Sequence, residues 1–464
     1  MRTIDQHRRE ITELLRRAGE GLHSETLPVD AALIAAHPER YAHRVLADDL
    51  LAPSSLPGFD NSQMDGYAVL AADLAPASAD SPVRLPVAPR IAAGDAFGTH
   101  TPGTATPIMT GAPVPAGADA VVPIEKADPP RFPAEASDPE PSDSVSGPAA
   151  AETEAEAGTN TETGTEAGAA DDDARPRVAF AEPVTAGTFV RSAGSDVAVG
   201  EVLLQAGTLL GPAQYGVVSG TGATEVTVRR RLRVLLVSTG HEIREPGTEL
   251  APGQIFDANS TALTVALQSI GCAVTPRPCR SDEADDLLEL LTRDAEQHDL
   301  VITVGGVSAG AREVVRDAVG PLGVEFMKVA MQPGGPQGFG DVALPATPER
   351  ASVTRPVVCL PGNPVSALVS FEAFVRPALL AASGATVTDR ETARGRASTA
   401  FDSPSHQHQL RRGRVLPDGS LELVGGPSSH LLHSYAASTV LVHVPVGTST
   451  VAAGDELDYW RIDG

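Results

Sequence analysis

The spacing of apolar positions changes character several times along the chain. Over residues 1–25, Ile4, Ile11, Leu14, Leu15 and Leu22 recur at near-helical intervals and predict a helix. From about residue 45 to 125 short apolar runs alternate with Pro and Gly, the texture of an all-β module. Residues 181–229 continue it, with a turn at Gly207-Thr208-Leu209-Leu210. At Arg233 the texture switches: Val234-Leu235-Leu236-Val237 is continuously apolar, the mark of a strand buried on both faces. A helix over 261–270 closed by Gly271, a strand near 273–276 and a helix over 282–297 with an acidic first turn follow. Next come a strand over 300–304, a helix near 313–319 and a strand over 324–331; residues 357–360 then feed a long helix over 365–382. From about residue 385 short strands return.

This order predicts a multidomain α/β plus β protein built around a central parallel α/β sheet. The sheet domain takes residues 1–25 and 230–384, and a linking β domain takes 26–50 and 181–229. An inserted β domain spans 51–180, and a small, barrel-like β domain spans 385–464.

Composition modifies this picture in one place. The formal charge is −25 over 464 residues, but residues 127–176 hold thirteen acids against Arg131 and Arg175 and so carry −11 of it. That stretch is rich in Ala, Glu, Thr, Gly and Pro and cannot bury enough apolar area to offset its ordering entropy, so it is expected to be a disordered insertion. An acidic chain is a poor general partner for nucleic acid. Its three cysteines, Cys272, Cys279 and Cys359, form no CxxC pair and suit a reducing interior. No signal peptide and no apolar run near the roughly 20 residues of a membrane span are apparent, so a soluble, cytoplasmic protein is expected.

Three polar loops carry candidate chemistry. Phe59-Asp60-Asn61-Ser62-Gln63-Met64-Asp65-Gly66-Tyr67-Ala68 crowds two carboxylates, an amide and a hydroxyl into a loop entered through Pro53 and Pro57. Such a set suits a hydrated Mg²⁺ ion, and equally a turn whose side chains bond their own backbone. Gly305-Gly306-Val307-Ser308-Ala309-Gly310 follows the strand over 300–304, and ligands of open α/β sheets bind beyond the carboxyl ends of strands. Glycine there lets backbone N–H groups approach an anion, though an ordinary strand-to-helix turn needs it too. Leu360-Pro361-Gly362-Asn363-Pro364-Val365-Ser366 places Asn363 as a natural N-cap and Pro364 at the first helical position, leaving free N–H groups at a helix start.

The first of these strings resembles the FDNSxMDGYA signature of the MoeA family, the molybdopterin molybdenumtransferases, related to the gephyrin E domain. The resemblance spans nearly the whole chain. Ile108-Met109-Thr110-Gly111-Ala112-Pro113-Val114-Pro115 with Gly117-Ala118-Asp119-Ala120-Val121-Val122 is similar to IMTGAPVPxGADAVV. Val190-Arg191 with Gly194 and Asp196, Ser238-Thr239-Gly240 with Glu242, and Ile255-Phe256-Asp257 with Asn259 resemble further elements, as do the GGVSxG and LPGNPVSA loops. The resemblance implies a MogA/MoaB-like sheet domain and a reaction in which molybdate enters the dithiolene of adenylylated molybdopterin with release of AMP. It further implies Mg²⁺, a catalytic set of Asp60, Asp65, Asp196, Glu242, Asp282, Glu313 and Lys328, and metal ligation by Asp60, Asp65 and Glu242. Substrate would be held by Gly305, Gly306, Ser308, Gly310, Gly362, Asn363, Ser366, Arg412 and Ser429. A homodimer is implied, the signature loop of one subunit serving the sheet cleft of the other, with a molybdopterin adenylyltransferase as a possible protein partner.

The sequence departs from the family pattern at five positions. His241 stands where many members carry an acid, Val304 replaces a serine, and Glu313 stands where aspartate is common. Gln332 and Gly335 occupy positions that are lysines in KxxxKPGKP, leaving Lys328. Losing two cations weakens a site for molybdate and phosphate. This leaves a second expectation open beside the enzyme: a paralogue that binds and delivers molybdopterin, molybdate or finished cofactor without turnover.

Overall fold

The computed structural model describes residues 2–133, 175–308, 313–346 and 351–463. The described chain divides into two compact units, Met1–Leu51 with Val202–Gly464, and Ala52–Glu201.

In the first unit six strands form one sheet: β1 (Arg233–Thr239), β2 (Ala273–Cys279), β3 (Leu300–Val304), β4 (Glu325–Lys328), β5 (Pro336–Leu344) and β6 (Val353–Leu360), in the order β2-β1-β3-β6-β5-β4. The first four in that order run parallel, as the apolar runs predict. β5 runs antiparallel to both of its neighbours, so the sheet is mixed rather than all parallel. Its sequence, PQGFGDVAL, carries Gly338 and Gly340, which weaken a strand interior, and no strand is expected there. Packing explains both glycines: a Cβ on Gly338 would lie 2.7 Å from the Phe326 ring, and one on Gly340 would meet the Gly323 backbone.

One face of the sheet packs against the N-terminal helix Ile4–Glu20 and the helix running from Pro364 to Ala382 through a π-helical turn at Phe371–Val375. Ile11, Leu15, Phe374 and Leu379 are completely buried there. The Pro364–Ala382 helix is long and apolar enough to span a bilayer, but 83% of its most apolar stretch is buried, so it is the core helix of this unit. The other face packs against the helices Ala284–Asp294 and Val314–Val319.

Five strands close the C-terminal barrel, in the cyclic order His408–Val415, Ser420–Leu423, Thr392–Ala397, Glu456–Arg461 and Val440–Val444. Met331–Gln332 pairs with its His408–Val415 strand in parallel register, Gln332 opposite Gln409. This is the multidomain α/β plus β architecture that the chain texture predicts. The linking region is not all-β: Ala31–Ala36, Pro38–Tyr41 and Pro212–Gly220 are helical around the strand pair Ser24–Pro28 and Glu225–Arg229.

The second unit is built from short strands. Gly66–Val69 pairs with Thr106–Ile108 and Ala120–Pro123, and Arg177–Phe180 lies between Val83–Pro86 and Ala127–Asp128. Two expected boundaries shift here. Residues 181–201 belong to this unit, because Val190–Arg191 pairs with Asn61–Ser62 and Gly187 donates to the Asp119 carbonyl. The insertion begins later than residue 127: Ala127 is buried, and the Tyr67 hydroxyl donates to the Arg131 carbonyl. The expected disorder lies, for residues 134–174, outside the described residues.

Candidate functional site

Beyond the carboxyl ends of β1 and β3, a cleft of about 1170 Å³ is lined by segments 239–243, 255–259, 305–308, 331–336, 361–364 and 427–429, with Gly253, Asp282, Glu313, Val314, Lys328, Ser366 and Gln407. Burial of the strands fixes where these loops begin. Gly305 and Gly306 adopt φ of +101° and +61°, a left-handed backbone that favours glycine. A Cβ on Gly306 would meet the backbone nitrogen of Val315 at 2.9 Å. Ser308 follows, exposed, its backbone N–H donating to Glu313 Oε2 at 3.0 Å. Gly310 lies outside the described residues.

The loop after β6 starts the long helix at Pro364. Asn363 occupies the N-cap position, but its side chain makes no cap bond and donates instead to Ser429 Oγ at 2.9 Å. That leaves first-turn N–H groups facing the cleft without a side-chain cap, the arrangement that receives anions. Asn259 donates to the Gly362 carbonyl at 2.8 Å and sets the height of this loop. Asn259 is itself positioned by Asp257, whose Oδ1 caps the helix at Ser260 N while Oδ2 accepts from Ser238 and Ser260. Asp257, Asn259 and Gln407 line the cleft and were not among the expected site residues. The string around 255–259 was the available signal for two of them, and Gln407 had none.

At the β1 end, His241 Nδ1 lies 2.8 Å from Asp282 Oδ2 and 3.8 Å from Glu242 Oε2. Asp282 thus does more than open its helix, which is preceded by Glu283. Ser366 is buried at the base and Lys328 is exposed at the rim. Among the described lining residues Lys328 is the only Lys or Arg.

Arg412 does not line the cleft. It is 4% exposed, and its guanidinium donates to the Ser428 carbonyl at 2.8 Å and to the Gly426 carbonyl, so it holds the loop that carries Ser429. Burial lowers its pKa from the ordinary arginine value.

Asp60, Asp65 and Asp196 belong to the second unit. Asp60 Oδ1 accepts from Ala193 N at 2.7 Å, and Asp65 Oδ1 accepts from the N–H and hydroxyl of Thr110 at 2.6 and 2.8 Å. The Thr110 bonds hold the Asp65 carboxyl below the usual carboxylate range. Asp196 is exposed, its N–H donating to Leu56 O. Among the described residues no three His, Cys, Asp or Glu side chains form a ready-made metal site. In each of Asp60 and Asp65, Oδ2 makes no bond to the described residues. Exposed carboxylates of this kind fit Mg²⁺, which takes one or two and completes its shell with water and phosphate.

The chain matches three family descriptions in sequence: MoeA N-terminal region (domain I and II) over residues 2–222, probable molybdopterin binding domain over 238–381, and MoeA C-terminal region (domain IV) over 394–462. It is 39% identical over 471 aligned positions, covering all of both chains, to molybdopterin molybdenumtransferase 2 of Mycobacterium tuberculosis strain H37Rv. It is 32% identical to molybdopterin molybdenumtransferase of Synechococcus elongatus, covering 89% of this chain and 91% of that one. Two crystal structures of a molybdopterin biosynthesis MoeA protein from Pyrococcus horikoshii superpose with TM-scores of 0.66 and 0.71, at 26% and 22% identity, covering 98% and 99% of this chain and 99% and 100% of those. The anion-receptive loops, the acids beside them and these full-length matches lead to one conclusion: the chain belongs to the MoeA family of molybdenum cofactor biosynthesis.

Proposed function

We propose that this protein is itself a molybdopterin molybdenumtransferase, inserting molybdate into adenylylated molybdopterin and releasing AMP. The observation that carries the reading is the convergence on one cleft of two anion-receptive loops, 305–308 and 362–366, with Glu242, Asp282 and Lys328. Backbone N–H groups of these loops bind phosphate and molybdate oxygens, and the hydroxyls of Ser308 and Ser366 add donors. Lys328 offsets the negative charge that grows as the phosphoanhydride bond to AMP breaks. Glu242, Asp60 and Asp65 are the residues that would hold Mg²⁺, which when bound supplies further neutralisation of the phosphate oxygens. Asp282 orients His241 against Glu242, while Glu313 holds the Ser308 backbone in place. Asp196, like Asp60, is exposed in the second unit. In the homodimer we propose, the signature loop of one subunit completes the cleft of the other.

The test is AMP release from adenylylated molybdopterin with Mg²⁺ and molybdate, comparing wild type with Asp60→Ala and Glu242→Ala. Molybdate-dependent release that both substitutions abolish is the expected result. The scarcity of cations in the cleft favours a second reading, a carrier that binds pterin or finished cofactor without turnover. Tight pterin binding with no AMP release would select it.

A further inference from the structure

Gln332 lines the cleft beside Pro333 and Gly334, and its side chain is tied from behind. Gln409 Nε2 donates to Gln332 Oε1 at 2.7 Å, and Arg411 donates to Gln409 Oε1 at 3.3 Å. Gln409 is 1% exposed and Arg411 is 7% exposed, with the Arg411 guanidinium 5.2 Å from the centre of the Phe401 ring. The pairing of Met331–Gln332 with the barrel strand sets Gln332 directly opposite Gln409. The two amides therefore meet by register.

From this chain of three side chains we infer that Gln332 is a polarity-fixed hydrogen-bond donor for an oxyanion in the cleft, an inference that rests on the site proposed above. An arginine can only donate, whereas an amide presents an acceptor at one end and donors at the other. Arg411 therefore requires the oxygen of Gln409, which turns the Gln409 NH₂ toward Gln332. That NH₂ requires the oxygen of Gln332, which leaves the Gln332 NH₂ facing away. Among the described residues Gln332 Nε2 makes no hydrogen bond, and the cleft is where it is open. A buried cation that does not line the cleft thus sets the sense of a neutral group that does. Gln409 and Arg411 are positioning residues; Gln332 touches the ligand. The ligand class is a tetrahedral oxyanion, molybdate or a phosphate ester. A neutral donor at this place makes binding less dependent on salt than an ammonium would.

The inference is tested by titration calorimetry of molybdate into the full-length protein. Gln332→Met removes the donor at similar length and should weaken binding about tenfold, the scale of one hydrogen bond to a charged group. Gln409→Glu can only accept. It stays paired with Arg411 but makes Gln332 turn its NH₂ inward and its oxygen to the cleft, and should weaken binding by a similar factor. The deciding measurement is the double variant: in the Gln332→Met background, Gln409→Glu should have no further effect. A drop that persists there means that added charge or a disturbed fold is responsible, and overturns the inference. So does unchanged affinity in Gln332→Met, or absence of molybdate binding to the wild type. Gln409→Met, which adds no charge, serves as the second variant if Gln409→Glu does not fold; it should weaken binding less, and only while Gln332 is present. AMP release measured on the same proteins separates the two readings. Molybdate-dependent release unaltered by Gln332→Met sinks this inference alone. The expected binding pattern without any release sinks the transferase reading alone and leaves an oxyanion-binding cleft.

Discussion

Asn363 Nδ2 donates to Ser429 Oγ across 2.9 Å, joining the start of the core helix to a loop of the C-terminal barrel. The same loop is held by Arg412 through the carbonyls of Gly426 and Ser428. The rim of the cleft is therefore shared between the sheet domain and the barrel. We expect Asn363→Ala and Ser429→Ala each to cost no more than about 1 kcal/mol of stability, with the double variant no worse than either single one. Arg412→Met should cost more, since it leaves two carbonyls without their donor. Urea unfolding of the four proteins checks the order.

The signature loop contains a glycine set by packing. A Cβ on Gly66 would overlap the carbonyl oxygen of Val122 in the paired strand. Gly66→Ala should destabilise the second unit by about 1–3 kcal/mol, the cost of overpacking a tight contact. Hydrogen exchange read separately for the two units should show the loss confined to residues 52–201.

Asp65 offers a pH test within the same loop. Its folded pKa lies below the ordinary value of about 3.9, so its contribution to stability is complete above that pH and is lost as the pH falls through the folded pKa. Thr110→Val removes the hydroxyl bond, leaving the N–H bond in place. The Asp65 pKa should move up towards the ordinary value, which a carboxylate NMR titration would read directly. An unmoved pKa would mean that the hydroxyl does nothing there.

His7 adds a second acid-sensitive group, in the first unit. It is fully buried between Phe339 and Phe374, and among the described residues neither ring nitrogen has a hydrogen-bond partner. Burial, helped by the charge of Arg2, lowers its pKa to about 4. The unfolded chain takes up this proton near pH 6.5, so stability should be complete above that pH and fall steadily as the pH drops from 6.5 to 4. His7→Leu should flatten that acid limb. Denaturant midpoints at pH 5 and pH 7 for both proteins are the measurement, and equal slopes would exclude His7 as the cause.

Gly335 can accept a cation. A Cβ there would meet nothing closer than the Val329 carbonyl oxygen at 3.4 Å, with Lys328 Cε at 3.8 Å. Gly335→Lys should fold normally and bind molybdate more tightly, by up to about tenfold at low salt and less as salt is raised.

Much of this protein could be read from its sequence. The apolar run at 234–237 and its counterparts at 300–304 and 357–360 hold one hydroxyl, Thr303, and no charge, as expected of strands covered on both faces. Gly305-Gly306 and Gly362-Asn363-Pro364 sit where such strands end, and their chemistry is local, so the anion-receptive loops were visible as well. Residues 234, 300 and 357 are far apart in the chain, and their register, Val234 beside Leu300 and Val301 beside Val357, comes from the fold.

Tertiary structure decided what depends on pairs of residues distant in sequence. The family resemblance implies that Arg412 binds substrate, but only the fold reveals that backbone carbonyls occupy its guanidinium. It makes Asn363 an N-cap by its type, but the barrel supplies Ser429 as a competing partner. Gly338 and Gly340 mask the strand Pro336–Leu344 in the sequence, and only the fold shows Phe326 and Gly323 needing the space. Gln332 looks like the loss of a cation until Gln409 and Arg411, nearly eighty residues later, are found to fix the sense of its amide. Residue type sets what a side chain is able to bond. Which of those bonds form is settled by the partners that packing brings within reach.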